Sequence, residues 1–259
     1  MDFENRTALV TGAAGAIGKG VAAGFLRGGA RVFITDLAPP AVEATVKELS
    51  ALGACRGQAA DVTREPEVAE VVAAAARAFD GRIDILVNVA GVVGQGKVEE
   101  IPEAEWDRMF AVNCKGSFLF IKHVVPLMKA RRCGRIVNYS SKSGKTGSAL
   151  MSHYSAAKAA VIGMTQALAL ELADSGVTVN CLCPGITDNT GVWSQVSAGY
   201  VRNLDLPRAE VVKKFTEKIP LKRLAGVEDL VAVTLFLASP GADYMTGQAI
   251  NVTGGREMH

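Results

Sequence analysis

The chain has 259 residues, 49% of them hydrophobic and 21% charged, with a net charge of +2. A composition this apolar excludes a disordered chain and is enough for a sizeable core. So small a net charge offers no basic field for nucleic acid, and no charge block reads as an interaction tail.

Thr7–Val10 is the first strand-like run. It leads into Thr11-Gly12-Ala13-Ala14-Gly15-Ala16-Ile17-Gly18, and a helix pattern follows from Ile17 to Arg27. Small residues between a first strand and a helix let backbone approach a pyrophosphate, and the helix start offers free N–H groups and a positive dipole end. Gly12, Ala14, Gly15, Ala16, Ile17 and Gly18 are therefore cofactor candidates. The second run, Arg31–Thr35, ends at Asp36, one helix and one strand after the Gly-rich loop. A carboxylate there can accept from both ribose hydroxyls and would repel a 2′-phosphate. The next residues are Leu37, Ala38 and Pro39, with no cation. NAD is expected rather than NADP, with Leu37 beside the adenosine.

Helix patterns continue at Ala41–Ala51, Pro66–Phe79, Glu103–Lys129, Tyr154–Leu172 and Val227–Ala238. Strand runs continue at Arg56–Ala60, Ile83–Asn88, Arg135–Ser140, Val177–Cys183 and Ala249–Val252. Several are apolar throughout, as strands covered on both faces are. The alternation predicts an α/β fold: a single doubly wound Rossmann-type domain over 1–259, with a mostly parallel seven-stranded sheet flanked by helices. Ile186 to Pro220 breaks the alternation. It follows the carboxyl end of a strand, where such sheets bind ligands, so it is expected to be a substrate lid with room for short helices.

The charged opening Met-Asp-Phe-Glu-Asn-Arg does not read as a signal peptide. Apolar stretches are interrupted short of a membrane span, so no membrane partner is expected. Five scattered cysteines (55, 114, 133, 181 and 183) form no framework and read as reduced thiols of a cytoplasmic protein. No His/Asp/Glu cluster has metal-ligand spacing, so no catalytic metal is expected.

Tyr154-Ser155-Ala156-Ala157-Lys158 opens the fifth main helix. A spacing of four puts both side chains on one face. An ammonium near a phenol favours the phenolate and lowers its pKa, giving an acid/base for a hydroxyl or carbonyl oxygen. Ser141 lies at the end of the strand that precedes this helix.

Taken in order, Thr11–Gly18, Asp61-Val62, Asn88-Val89-Ala90-Gly91, Asn113, Ser141, Tyr154, Lys158, Pro184-Gly185 and Tyr244–Gln248 resemble the short-chain dehydrogenase/reductase family over nearly the whole chain. The resemblance implies an NAD-dependent enzyme acting on a secondary alcohol or ketone. Ser141 would hydrogen-bond the reacting oxygen and Tyr154 would move its proton. Lys158 would hold the nicotinamide ribose, and Asn113 a relay water. Asp61 and Val62 would contact adenine. Asn88, Ala90, Gly91, Pro184, Gly185 and Thr187 would complete the cofactor site, Thr187 through its backbone. Four positions depart from the family pattern: Ala16 stands for a glycine, Thr187 and Asn189 differ from the usual residues after Pro184-Gly185, and Thr253 stands for an aspartate.

The lid carries Trp193, Gln195, Val196 and Tyr200. Its layout is similar to family members that oxidise polyols, sugars or small vicinal diols. Val93, Gly94, Ser143, Met151, His153, Gly185 and Trp193 are expected to wall the pocket. His153 adjoins Tyr154 but faces another way on a helix. Two alternatives remain: a 3-oxoacyl or cyclic-ketone reductase with the same mechanism, and a non-catalytic NAD-binding sensor. Asp36 speaks against the first, and the presence of all four chemical residues against the second. Surplus small apolar residues on the two long helices, with the resemblance, imply a homotetramer.

Overall fold

A computed structural model of the chain describes residues 1–204 and 207–258. His259, expected as a tail residue, and the side chain of Tyr200 lie outside the described residues.

Seven strands form one sheet: β1 (Thr7–Thr11), β2 (Arg31–Thr35), β3 (Cys55–Gly57), β4 (Ile85–Asn88), β5 (Gly134–Tyr139), β6 (Val177–Pro184) and β7 (Ala249–Val252). Their order is β3-β2-β1-β4-β5-β6-β7, and every pairing is parallel. Strand order reverses between β1 and β4, so a crevice opens there at the carboxyl edge. Both faces are covered, which explains the unbroken apolar runs. Leu9, Leu86 and Ile136 point into one core layer, and Val10, Val87 and Val137 into the other.

Helices α1 (Ala16–Arg27), α2 (Pro39–Leu49) and α3 (Glu65–Ala78) make the first crossovers. The third strand is shorter than the run Arg56–Ala60 suggests. Gly57 is pressed against Ile34 and Val46, and the chain then bends so that Ala60 N–H reaches the Asp36 carbonyl at 3.0 Å.

The expected single helix Glu103–Lys129 is three pieces. These are α4 (Glu103–Phe110), a π-turn at Ala111–Lys115, and α5 (Gly116–Arg131). A π-turn widens the backbone spiral by one residue and often marks a functional site. Here it contains Asn113.

After β5 comes a short helix, α6 (Lys142–Thr146), then α7 (Ser152–Leu172). By length and composition alone Ser152–Ser175 could cross a bilayer, contrary to expectation. Its apolar content has a packing cause. Ala157, Val161 and Ala169 are buried behind the sheet and pocket, while Leu170 on the opposite face is 84% exposed. The lid carries α8 (Gly191–Leu204) and α9 (Arg208–Glu217), and α10 (Val227–Ala238) packs against α1.

Candidate active site

The strand ends build the site. Thr11 Oγ1 accepts from Val89 N and Ala90 N, both at 3.1 Å, and so ties β1 to the turn after β4. Gly12 has φ +65°, and a Cβ there would stand 2.7 Å from Ala90 backbone. The loop therefore needs glycine at this point. Gly15 caps α1 without a side-chain hydrogen bond, so the first-turn N–H groups are not blocked from a phosphate. Ala16 is solvent-exposed, and its methyl does not fill the crevice.

Asp36 lies at the rim beside this loop. Its carboxylate accepts from Ala14 N at 2.9 Å and Leu37 N at 2.7 Å. The two contacts fix its position while each oxygen keeps a further lone pair for a hydroxyl. Leu37 is exposed. Asp61 accepts from Thr63 N and Oγ1, closing a turn, and Val62 is buried against Gly116. The Asn88 side chain donates to Asn138 Oδ1 at 2.9 Å inside the sheet. It holds β4 to β5, while its own Oδ1 is buried without a hydrogen-bond partner.

The centre of the cleft is walled by Asn113, Ser141, Tyr154 and Lys158 around a cavity of about 460 Å³. Ser141 caps α6, its Oγ accepting from Ser143 N at 3.1 Å. Ser140 Oγ donates to the Lys158 carbonyl at 2.7 Å, and Lys158 Nζ donates to the Tyr139 carbonyl at 2.9 Å. These two contacts lock the end of β5 to α7. Asn113 is buried, and its amide grips the Val92 backbone from both sides, accepting from N at 3.1 Å and donating to O at 3.0 Å. Gly91 lies between Asn113 and Lys158, where a Cβ would approach Asn113 Oδ1 to 2.7 Å.

Burial drives the electrostatics here. Lys158 is pushed from its ordinary value down to about 8, chiefly because burial disfavours its charge. Burial pushes the Tyr154 hydroxyl up, and its hydrogen bond with Ser141 pulls it back in part. The lowering expected from Lys158 is not what this geometry yields. The ammonium is directed at Tyr139 O and stands 5.8 Å from the centre of the Tyr154 ring.

The same cavity is lined by Ile17, Gly91, Pro184, Gly185 and Thr187 on the cofactor side, and by Val93, Ser143, Met151 and Trp193 on the other. A bridge to Ala225 fixes Thr187 and leaves its own N–H outside that pairing. Thr190, not Asn189, shares the wall; its hydroxyl donates to Thr187 O and accepts from Trp193 N, capping α8. Trp193 packs edge-on against Phe215 at 5.9 Å and anchors the lid while lining the pocket. His153 is not among the lining residues. Its buried ring is turned toward Gly94 and Glu105, with Nε2 4.0 Å from the Glu105 carboxylate. Sequence reasoning missed Lys142, Lys214, Lys218 and Arg256, which line the cavity from α6, α9 and the tail. The one signal was the spacing of four between Lys214 and Lys218.

A Gly-rich loop opening α1, an acid at the end of β2 and Ser141, Tyr154 and Lys158 on one wall lie along a single parallel-sheet crevice. By comparison with known proteins, the chain belongs to the short-chain dehydrogenase/reductase family. The family described as enoyl-(acyl carrier protein) reductase matches residues 12–257. The sorbitol dehydrogenase of Cereibacter sphaeroides is 38% identical over 100% of both chains. The galactitol 2-dehydrogenase of Agrobacterium fabrum is 37% identical, also over 100% of both. Among solved structures, actinorhodin polyketide ketoreductase with NADPH superposes with a TM-score of 0.94 at 35% identity, over 98% of each chain.

Proposed function

We propose that this protein is an NAD-dependent dehydrogenase of a secondary alcohol or its ketone, the substrate being a polyol, a sugar, a small diol or a derivative of one. Residues 1–259 act as one catalytic domain with 186–220 as lid. The observation that carries the reading is the convergence of Ser141 and Tyr154 on one cavity wall, with Lys158 buried behind them. A bound nicotinamide supplies the hydride chemistry. Ser141 Oγ orients the substrate oxygen, and Tyr154 Oη gives or takes its proton. Lys158 Nζ holds the ribose and stands ready to refill the Tyr154 proton. Asn113 fixes the Val92 turn, and its carbonyl in the π-turn is the group suited to a relay water. Trp193 and the lid exclude bulk water.

Asp36 supports NAD, because its carboxylate would oppose a 2′-phosphate and Leu37 and Ala38 offer no cation to offset one. The printed names of the sorbitol and galactitol relatives support a polyol-like substrate. The ketoreductase likeness favours a second reading as a 3-oxoacyl reductase, and Asp36 separates the two. Reduced thiols at Cys55, Cys181 and Cys183 support a cytoplasmic enzyme. Exposed Trp106, Phe118 and Leu170 on α4, α5 and α7 support a homotetramer through those helices.

Tyr154→Phe tests the assignment. Turnover is expected to fall at least about 10³-fold while NADH binding, read by fluorescence titration, survives. Retained turnover would overturn the proton-transfer role.

A further inference from the structure

We propose that the substrate carries an oxyanion, a carboxylate or a phosphate, away from its reacting carbon, held by Arg256 and Lys142 with Lys214 and Lys218 beside them. This rests on the oxidoreductase reading and names its substrate class.

Four cations line the cavity that contains Ser141 and Tyr154, and among the described residues no Asp or Glu lines it. The nearest carboxylate, Glu257, is shared: one oxygen stands 3.3 Å from Arg256 Nε and 3.7 Å from Lys142 Nζ. The Arg256 side chain is only 19% exposed and lies over the Phe215 ring at 5.5 Å. Its Nη1 is buried without a hydrogen-bond partner. Among the described residues neither Lys214 nor Lys218 forms an ion pair. Burial first, and then the charge of Arg256, hold Lys142 below the ordinary lysine value, with Lys218 adding to the effect.

Crowding like charges at a partly buried wall is unfavourable, and so is a desolvated guanidinium N–H without an acceptor. A bound oxyanion offsets both, and a guanidinium fork suits carboxylate and phosphate alike. A neutral polyol offsets neither. Among the described residues the side-chain contacts of Lys142 and Arg256 run to Ser148, Glu257 and Phe215 and none to the Gly12–Gly18 loop, so the cofactor phosphates are not the proposed partner. Lys142 directly follows Ser141 and donates to Ser148 Oγ at 3.1 Å, and Ser148 Oγ is 2.8 Å from Ser143 Oγ. This end is thus continuous with the substrate-facing serines and the lid, not with Gly12–Gly18. Thr253 now has a role. Its hydroxyl donates to Glu257 O at 3.1 Å and accepts from Glu257 N at 3.3 Å, closing the turn that presents Arg256.

The test compares initial rates over charge-matched pairs: 3-hydroxybutyrate against 1,3-butanediol, and sorbitol 6-phosphate against sorbitol, with NAD⁺ and with NADP⁺. In at least one pair the anion is expected to have a kcat/KM about 100-fold higher, the difference residing in KM. The pair that shows it tells carboxylate from phosphate. Arg256→Met should bring that ratio to within about threefold, and Arg256→Lys should restore part of it. A neutral member equal or superior in both pairs overturns the proposal. If no alcohol turns over with either cofactor, the oxidoreductase reading fails separately. The anion site is then read directly by calorimetric titration with succinate and with inorganic phosphate. Binding weakened at least about tenfold by Arg256→Met supports the site; no binding, or binding indifferent to the substitution, overturns it.

Discussion

Asp36 and Asp61 follow β2 and β3 at one end of the sheet's carboxyl edge, while Lys142, the Lys214/Lys218 pair and Arg256 follow β5, β6 and β7 at the other. Asp36 is tied down by two backbone N–H groups and is followed by no cation. Lys142 and Arg256 instead share one carboxylate, which leaves a guanidinium N–H unpaired. On the proposed reading one fold edge carries two opposite charge filters, and each can be altered without touching the Ser–Tyr–Lys wall between them. A carboxylate that is already held rejects by charge; a cation left short of partners recruits.

Three measurements would break or sharpen that contrast. The largest effect belongs to the cation between the two ends. Lys158 has a folded value of about 8 against an ordinary 10.5, so between those pH values the unfolded chain binds the proton more tightly than the folded one. Stability from this residue therefore rises with pH across that window. Relative to Lys158→Met, the wild type should gain on the order of 3 kcal/mol between about pH 7.5 and 10.5 in urea unfolding. A flat difference would show that burial does not disfavour this charge. Next, Asp36→Ala should narrow the NAD-over-NADP ratio of kcat/KM by about 30-fold, on the order of 2 kcal/mol. An unchanged ratio would move the ribose contact elsewhere. The smallest effect is expected from Lys214→Gln with Lys218→Gln: about a fivefold loss of kcat/KM on the anionic substrate, fading as salt rises toward about 0.5 M. A loss indifferent to salt would assign these lysines a packing role.

The contrast also separates what could be read from the chain from what could not. The place of Asp36 beside the glycine loop was legible because it is local: a strand end, one helix and one strand after that loop. The strands were legible because both faces are buried, which leaves unbroken runs such as Ile83–Asn88. The basic end was not legible. Lys142 and Arg256 are far apart in the chain, and only strand order brings them to one wall. The π-turn at Asn113 was missed because widening the spiral needs no change of composition. Helix α6 was missed because Lys142–Thr146 is short and polar, with Ser141 as its only cap signal. His153 looked like a pocket residue from its neighbour Tyr154, but the helix turns its ring to Glu105.

The switch in strand order has a consequence for how the chain is born. Ala8 pairs with Val32, on the very next strand to be made, but its other partner, Ile85, lies on β4, beyond α2, β3 and α3. While the chain is being synthesised, β1 can join β2 and α1 early, yet its second edge stays unpaired until β4 emerges. Open strand edges invite pairing with other chains, and distant parallel pairings form slowly. The seam that becomes the crevice is therefore, for a time, an open strand edge of the nascent protein. Substitutions that weaken β4 would be felt first as lost yield of folded protein, before any change in catalysis could be measured.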